Sequence, residues 1–309
     1  MGLGIGAVQN ILELNNLGYF KNSSSIIEIG SQELHLNFVD LKKLFETAGL
    51  KDDLESTFPD VKNWPFSPRC QSKYFYRALG IKNYECIDIN GENGAIVHDL
   101  NKTFEDKSKF NKYDIVTDFG SCEHVYNIGE CYKTVHNLAK KDGYIIIAQA
   151  TLKGNGYFKF DQSFFEGIAA SNGYNIIYNS YLITTGNKTK SGSWHEFHIP
   201  RNEELLNVLD YSKLSQSDKG SYINIYCVFQ KTNEEDFKMP YQGNLMQDIY
   251  NIAGFNRAYI KETLNYNYVP SATLELEKAP LVLLIKAINK LFKKKIKVMI
   301  RKLIMKIKK

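Results

Sequence analysis

Residues 25–32 read SIIEIGSQ, a short apolar run that stops at a glycine. A nearly continuous apolar run is typical of a strand buried on both faces of a parallel sheet. Gly30, directly after the run, suits a tight turn because glycine adopts backbone angles that other residues avoid. The stretch therefore predicts a core strand that ends in a sharp bend at Gly30.

Six further strands follow this one along the chain. They are predicted over residues 84–89, 95–99, 113–119, 144–148, 174–185 and 221–231. Helical spacing of apolar residues predicts helices over 37–50, 72–79, 128–141, 163–172 and 201–209. Helices alternate with strands up to Ala148, and the last two strands lack a full crossover helix between them. This pattern predicts an α/β fold: a doubly wound, mostly parallel, seven-stranded sheet with an antiparallel terminal hairpin.

Polar residues end the first four predicted strands, at the edge where ligands bind to open α/β sheets. Glu28, Asp88 and Asp99 lie at the ends of the first three, and Asp118 lies at the end of the fourth. Carboxylates here suit a ligand that presents hydroxyl and amine donors. A dinucleotide site would instead show G-x-G-x-x-G at the first turn, whereas this turn has one glycine and Glu33. The pattern disfavours NAD and FAD and favours S-adenosylmethionine, which carries no phosphate.

Five motifs in order resemble the class I S-adenosylmethionine-dependent methyltransferases, over about residues 25–231. They are SIIEIGSQ (25–32), ECIDING (85–91), IVHDLN (96–101), YDIVTDFGSCEHV (113–125) and DGYIIIAQA (142–150). The chain looks most like the bacterial branch in which EIGSQ replaces the glycine-rich first motif, whose members often act in surface-polysaccharide or small-molecule modification pathways. The resemblance implies S-adenosylmethionine as the cofactor. It also implies cofactor contacts at Glu28, Gly30, Ser31, Asp88, Ile89, Asp99, Leu100 and Phe119. To these we add Gln32, which belongs to the same turn as Gly30 and Ser31.

Two groups of residues are candidates for chemistry on the acceptor. His124, with Glu123 beside it, follows the fourth strand, where a base could take the proton of an acceptor hydroxyl. Alternatively, His124 caps the following loop. Trp194 and His195 are candidate substrate contacts, and the alternative is an ordinary aromatic anchor. The fourth strand ends in Asp118-Phe119-Gly120-Ser121 and lacks the Asn/Asp-Pro-Pro-aromatic tetrad of nucleic-acid amino-methyltransferases. O-methylation, or N-methylation of another kind of amine, is therefore expected.

Composition limits the class of protein. The five cysteines show no CxxC pair and no histidine at metal-ligand spacing, so we expect reduced thiols, no metal site and a cytoplasmic protein. No stretch reaches the length of a membrane span, and no secretory signal is visible. The domain prediction is a Rossmann-like methyltransferase domain over 1–232, with an insertion at about 39–69, and an extension over 233–278.

The tail, residues 279–309, holds eleven Lys or Arg and no acid. The remaining 28 basic and 34 acidic residues give residues 1–278 a net charge of −6. Apolar residues from 280 to 309 recur at helical spacing, which predicts a basic amphipathic helix lying on an anionic membrane surface. Packing on the body or on a second subunit is the first alternative. Nucleic-acid binding is disfavoured because Phe292 is the one aromatic available for stacking.

The sequence thus predicts methyl transfer to a small-molecule or carbohydrate acceptor, at a hydroxyl, in surface-polysaccharide biosynthesis. The localisation expected is cytoplasmic, with peripheral attachment to the inner face of the membrane. Two alternatives stay open at this stage. One is an NAD-dependent enzyme on the same fold, and the other is a cofactor-binding or scaffold protein without catalysis.

Overall fold

A computed structural model describes residues 2–50, 54–59, 70–152, 154–200 and 222–240. The strands are β1 (Gly2–Leu3), β2 (Ser25–Ile29), β3 (Glu33–Leu34), β4 (Asn83–Asp88), β5 (Ile96–Val97), β6 (Tyr113–Phe119), β7 (Ala139–Leu152), β8 (Asn175–Lys188), β9 (Trp194–Pro200) and β10 (Tyr222–Gln230). The helices are α1 (Ile5–Asn16), α2 (Phe38–Thr47), α3 (Leu54–Thr57), α4 (Lys73–Ala78), α5 (Ile128–Leu138) and α6 (Gln162–Asn172). The predicted helix over 201–209 and the tail over 279–309 lie outside these residues.

Eight strands form the main sheet, in the order β5-β4-β2-β6-β7-β10-β8-β9. The first five run parallel to one another, whereas β10 is antiparallel to both β7 and β8. The doubly wound parallel sheet and its antiparallel terminal hairpin are therefore confirmed. The prediction of seven strands was wrong by one, because residues 194–200 add a further antiparallel strand at the edge beside β8. A separate two-stranded sheet joins β1 to β3.

Both faces of the sheet are buried, which explains the continuous apolar runs. Along β7, Ile146 points into a core shared with α1, α2 and α4. Its neighbours Ile145 and Ile147 point into a second core shared with α5 and α6. Since successive side chains of a strand point to opposite faces, a strand covered on both sides needs apolar residues at nearly every position. All five cysteines are buried, and none forms a disulfide in the described residues.

Helix α5 ends three residues earlier than predicted. Leu138 is its last residue, and Ala139 already pairs with Tyr113 of β6. The Asp142-Gly143 pair, taken as the helix stop, lies within β7, where Asp142 has a φ of +62°. Among the described residues, no helix is long and apolar enough to cross a membrane.

Candidate functional site

Gly30 forms the bend after β2 and brings three strand ends together. Its φ of +84° lies in the left-handed region that favours glycine. Its amide N–H donates a 2.7 Å hydrogen bond to the carbonyl oxygen of Ile87 in β4. A Cβ at this position would overlap the Oγ of Ser121, which lies just beyond β6. The bend therefore needs glycine, and it packs directly between the ends of β4 and β6.

Asp88 meets this bend, as the sequence predicted. The backbone N–H of Ser31 donates to Asp88 Oδ2 at 2.9 Å, and that of Asn90 donates to Oδ1 at 3.2 Å. The carboxylate is only partly buried, so its remaining lone pairs can accept hydrogen bonds from a ligand. Beside it, the side chain of Ile89 is 67% exposed and offers an apolar surface at the same edge.

Asp99 lies on the next strand end outward from Asp88. Strands β4 and β5 are neighbours, with Asp88 opposite Val97, so Asp99 follows two residues beyond the pair. Its Oδ1 accepts from the side-chain and backbone nitrogens of Asn101, and these hydrogen bonds lower the pKa of Asp99. Leu100, its neighbour, is buried and packs in the core that α5 and α6 share.

Gln32 links the bend to the end of β6. Its Nε2 donates to Ser121 Oγ at 2.8 Å and to the carbonyl oxygen of Ile29 at 3.0 Å. Its Oε1 is buried and has no hydrogen-bond partner among the described residues. An unsatisfied buried acceptor costs free energy, and here it lies next to the bend. A ligand with an ammonium or hydroxyl donor would satisfy it.

Two of the predicted cofactor contacts, Glu28 and Phe119, face the core in this structure. Glu28 accepts hydrogen bonds from Ser72 Oγ at 2.5 Å and from Tyr84 OH at 2.7 Å. Complete burial raises the pKa of Glu28 to about 7. Phe119 is also buried and packs against the ring of Tyr226. The structure brings Gly30, Ser31, Gln32 and Asp88 together at the sheet edge but turns these two side chains away from it.

A cavity of about 420 Å³ lies at the same edge, beyond the ends of β7 and the terminal hairpin. Its wall combines β1, the loop after β7 and strands β8 to β10. The lining residues are Gly2, Gly4, His35, Ala150, Gly154, Asn155, Thr184, Trp194, Glu196, Tyr222 and Asn224. A partly apolar cavity of this size with a few polar groups is typical of small-molecule sites.

Glu123 lies behind the cavity wall, in a single 3₁₀ turn over Cys122–His124. The backbone N–H of Ala150 donates to its Oε2 at 2.7 Å. Its Oε1 is buried without a hydrogen-bond partner among the described residues, and a Cβ on Gly154 would lie 3.6 Å from that oxygen. Burial raises the pKa of Glu123 to about 7. The group is therefore poised to exchange a proton near neutral pH.

His124 lies beside this carboxylate. Its Nε2 is 3.6 Å from Glu123 Oε1, and its side chain is 43% exposed. Partial burial lowers the pKa of His124, so the imidazole is neutral at pH 7. A neutral imidazole can accept a proton or orient a neighbouring donor.

Asp118 fixes the turn that carries both residues, a role that the sequence reasoning did not assign to it. Its Oδ1 accepts from the backbone N–H groups of Ser121 and Cys122, and its Oδ2 accepts from Tyr132 OH and Gln149 Nε2. These four hydrogen bonds occupy both oxygens of the buried carboxylate, so Asp118 acts as a positioning residue. Four hydrogen bonds to one buried carboxylate hold the turn in a single geometry.

Trp194 and His195 separate to opposite faces of β9. Trp194 lines the cavity, whereas His195 is exposed and does not line it. Glu196 lines the cavity beside Trp194, with its Oε2 accepting from the N–H of Gly6 at 2.9 Å and its Oε1 from Thr184 Oγ1 at 3.0 Å. The sequence reasoning missed Glu196, although alternation along the strand places it on the same side as Trp194. His35, which was not among the candidate site residues, also lines the cavity.

No group of three or more His, Cys, Asp or Glu within the described part of the chain could hold a metal ion. The candidate site has two parts at this edge of the sheet. The Gly30 bend with Asp88 forms one, and the cavity with Glu123 behind its wall forms the other.

Several solved methyltransferase structures are similar to this chain in fold. An S-adenosylmethionine-dependent methyltransferase from Thermotoga maritima shares 11% identity at a TM-score of 0.35, with 73% of this chain and 92% of that chain covered. A similar methyltransferase from Archaeoglobus fulgidus shares 13% sequence identity at a TM-score of 0.34, with 72% of this chain and 93% of that chain covered. A third structure is the 1,6-didemethyltoxoflavin N1-methyltransferase of Burkholderia thailandensis, solved with S-adenosylhomocysteine. It shares 7% sequence identity at a TM-score of 0.30, with 74% of this chain and 79% of that chain covered.

No family model matches the chain, and no curated protein matches it either. At these identities and TM-scores, likeness to the solved structures carries no conclusion about activity. The Rossmann-like α/β fold is established by the strand order itself.

Proposed function

We propose that this protein transfers a methyl group from S-adenosylmethionine to a hydroxyl of a small-molecule acceptor. The observation that carries the proposal is the contact between the Gly30 bend and Asp88 at the sheet edge. The cavity lies at the same edge, and behind its wall is Glu123, a carboxyl group with a pKa of about 7. Strand ends of this type are where open α/β sheets bind nucleosides.

The residues at the bend fit a nucleoside that bears no phosphate. Asp88 can accept hydrogen bonds from ribose hydroxyls, and the exposed side chain of Ile89 can cover one face of a base. The unpartnered Oε1 of Gln32 suits an ammonium donor. A pyrophosphate would instead meet the Asp88 carboxylate and a turn with one glycine, which is unfavourable.

S-adenosylmethionine, when bound, supplies a methyl group activated by its positively charged sulfur. The protein contributes orientation, which is worth roughly 7–11 kcal/mol in well-aligned reactions. The acceptor's hydroxyl proton is proposed to pass to Glu123, whose side chain is buried behind Gly154 and whose pKa of about 7 leaves much of it ionised at neutral pH. His124 orients the same hydroxyl, and Asp118 holds the turn that carries both residues.

Binding calorimetry tests the cofactor assignment. We expect S-adenosylmethionine and S-adenosylhomocysteine to bind and NAD to fail. Asp88→Ala should weaken both cofactor affinities by about 10- to 100-fold, the worth of one or two hydrogen bonds to a charged group. Asp236→Ala, which removes an exposed acid elsewhere, is the matched control. Binding of NAD in preference to S-adenosylmethionine would refute the proposal.

We propose a carbohydrate or lipid-linked acceptor of surface-polysaccharide biosynthesis, supported by the resemblance of the EIGSQ and EHV motifs to that bacterial branch. The basic amphipathic pattern of 280–309 supports peripheral attachment to the inner face of a membrane. Both proposals are tested most directly by assaying methyl transfer to soluble and lipid-linked sugars in parallel.

A further inference from the structure

Charge is unevenly distributed around the cavity. Glu196 lines it, and Glu123 lies behind its wall at Gly154. No Lys or Arg is among the described residues that line it, and the other polar lining groups are the imidazole of His35 and the uncharged side chains of Asn155, Thr184 and Asn224. Phosphate and carboxylate ligands are normally held by Arg or Lys, and none of these lining residues supplies such a group, although the ammonium of Lys188 lies over the ring of Trp194.

Glu196 can accept more hydrogen bonds than the described residues provide. One of its oxygens accepts from Gly6 N–H and the other from Thr184 Oγ1, and each carboxylate oxygen has two lone pairs. Burial raises the pKa of Glu196, because the charged form is poorly solvated there. A cation beside it would favour the ionised form and form a desolvated ion pair with it.

Aromatic side chains flank the cavity on its exposed side. Trp194 is 41% exposed and Tyr222 is 49% exposed. The ammonium of Lys188 lies 4.7 Å from the ring centroid of Trp194, so one face of this indole already holds a cation. Aromatic faces attract ammonium groups and also stack on the apolar faces of sugar rings.

From these observations, and resting on the proposed function, we infer that the acceptor is a cationic, hydroxyl-rich ring compound of the amino-sugar class. Its ammonium pairs with Glu196, its hydroxyl groups bond to the amide and hydroxyl groups of the lining, and its ring packs against Trp194. A cavity of about 420 Å³ holds a molecule of one or two six-membered rings. Acceptors that carry a carboxylate on this ring are rejected.

Three sugars that share a ring and differ in charge test the inference: glucosamine, glucose and glucuronate. The chain has two tryptophans, so Trp64→Phe leaves Trp194 as the sole indole reporter at the cavity. Fluorescence titration in the presence of S-adenosylhomocysteine should show glucosamine binding at least ten times more tightly than glucose, and glucuronate not binding. This ranking needs no further variant. A flat ranking, a preference for glucuronate, or no response to any sugar overturns the inference.

Glu196→Gln tests the residue itself. It should reduce the preference for glucosamine over glucose to less than threefold, whereas Glu46→Gln, the same change at an exposed position of α2, should leave it unaltered. If Glu196→Gln still preferred glucosamine over glucose by tenfold, Glu196 would not be the group that pairs with the ammonium, and the inference would be wrong. Calorimetry with S-adenosylmethionine on the same samples is independent of the sugar ranking. Its failure would refute the methyltransferase assignment and leave the charge preference of the cavity standing.

Discussion

Glu123 and Glu28 are both buried, and burial raises the pKa of each carboxyl group to about 7. Their surroundings differ. Glu28 accepts hydrogen bonds from Ser72 and Tyr84 in the core. One oxygen of Glu123 has no hydrogen-bond partner within the described residues and lies behind Gly154 at the cavity. Under the proposed function, this pKa would serve catalysis at Glu123, whereas at Glu28 it affects only stability.

Glu123→Gln should reduce the rate of methyl transfer by about 10²- to 10⁴-fold, because a positioned base is lost. In the wild-type protein, kcat should rise with pH and level off above about 7, since the carboxyl group must be ionised to accept a proton. That rise should disappear from the residual activity of the variant. Affinity for S-adenosylhomocysteine should not change. Unaltered kcat in Glu123→Gln would exclude Glu123 as the base.

Glu28→Gln should change the pH dependence of stability. The folded-state pKa of about 7 lies above the ordinary value of 4.5, so the contribution of Glu28 is complete below pH 4.5 and is lost as pH rises through 7. The loss amounts to about 3 kcal/mol of the free energy of unfolding. Urea unfolding at pH 5 and pH 8 should show a larger decline for the wild type than for Glu28→Gln. Glu105→Gln, at an exposed position, should follow the wild type.

At the scale of elements, the start of α1 depends on another element for its cap. Gly4 occupies the N-cap position and has no side chain to accept a hydrogen bond from the first turn. Glu196 of β9 supplies that acceptor to Gly6 N–H. A carboxylate near a helix N-terminus also interacts favourably with the helix dipole. The edge strand and the first helix are thereby tied together at the cavity.

Gly4→Ala should destabilise the protein by about 1 kcal/mol, because the carboxylate of Glu196 has to move and give up its hydrogen bond from Gly6 N–H. The reason is local: a Cβ at residue 4 would overlap the carboxylate of Glu196. In a double-mutant cycle with Glu196→Ala, the cost of Gly4→Ala should largely vanish, because the overlapping atoms are gone. Equal costs in both backgrounds, measured by denaturant unfolding, would show that the strain arises elsewhere.

The central strands could be predicted from the sequence, whereas the edge could not. The strand at 113–119 was predicted with the observed bounds, because a short apolar run between turn residues is typical of a strand buried on both faces. Strand β9 has a mixed pattern, with His195 exposed and His198 buried. Its partner β8 lies only five residues earlier in the chain, but the mixed pattern did not identify residues 194–200 as a strand. The end of α5 was predicted too late, because Asp142-Gly143 is a typical helix stop. In the structure, β7 already begins to pair with β6 at Ala139.

Within the site, the order of the strands was enough to bring Asp88 to the Gly30 bend. A carboxylate at the end of one parallel strand necessarily lies near the turn of its neighbour. The cavity was beyond such reasoning, since β1 and β9 come from opposite ends of the described chain. Glu196 was therefore overlooked and His195 was selected instead. Glu28 was predicted to contact the cofactor, but its side chain is buried in the core. Its position in the sequence does not reveal this burial.

At the scale of the whole molecule, charge is divided between an acidic body and a basic tail. Residues 1–278 carry a net charge of −6, and residues 279–309 contribute eleven positive charges. Each basic residue near an anionic surface adds about 1 kcal/mol to binding. The tail can therefore attract the protein to such a surface, although the body would be repelled.

Replacing Lys293, Lys294 and Lys295 with Glu should abolish sedimentation of the protein with vesicles that contain phosphatidylserine. Vesicles of phosphatidylcholine alone should bind neither form strongly. The control is the full chain with Lys82, Lys102 and Lys107, three exposed residues of the body, replaced by Glu. It has the same net charge as the tail variant and should still sediment. Equal behaviour of the two variants would mean that overall charge, and not the tail, determines association.

The shortness of β5 affects how the molecule behaves in crowded solution. An outermost strand exposes unpaired backbone groups to which a foreign chain can add, which is a common route to aggregation. Here the outer strand beside β4 has two residues, Ile96–Val97, so an incoming segment finds too few partners to start a ladder. A variant that lengthened this strand would be expected to self-associate, even with its folding and its pocket intact.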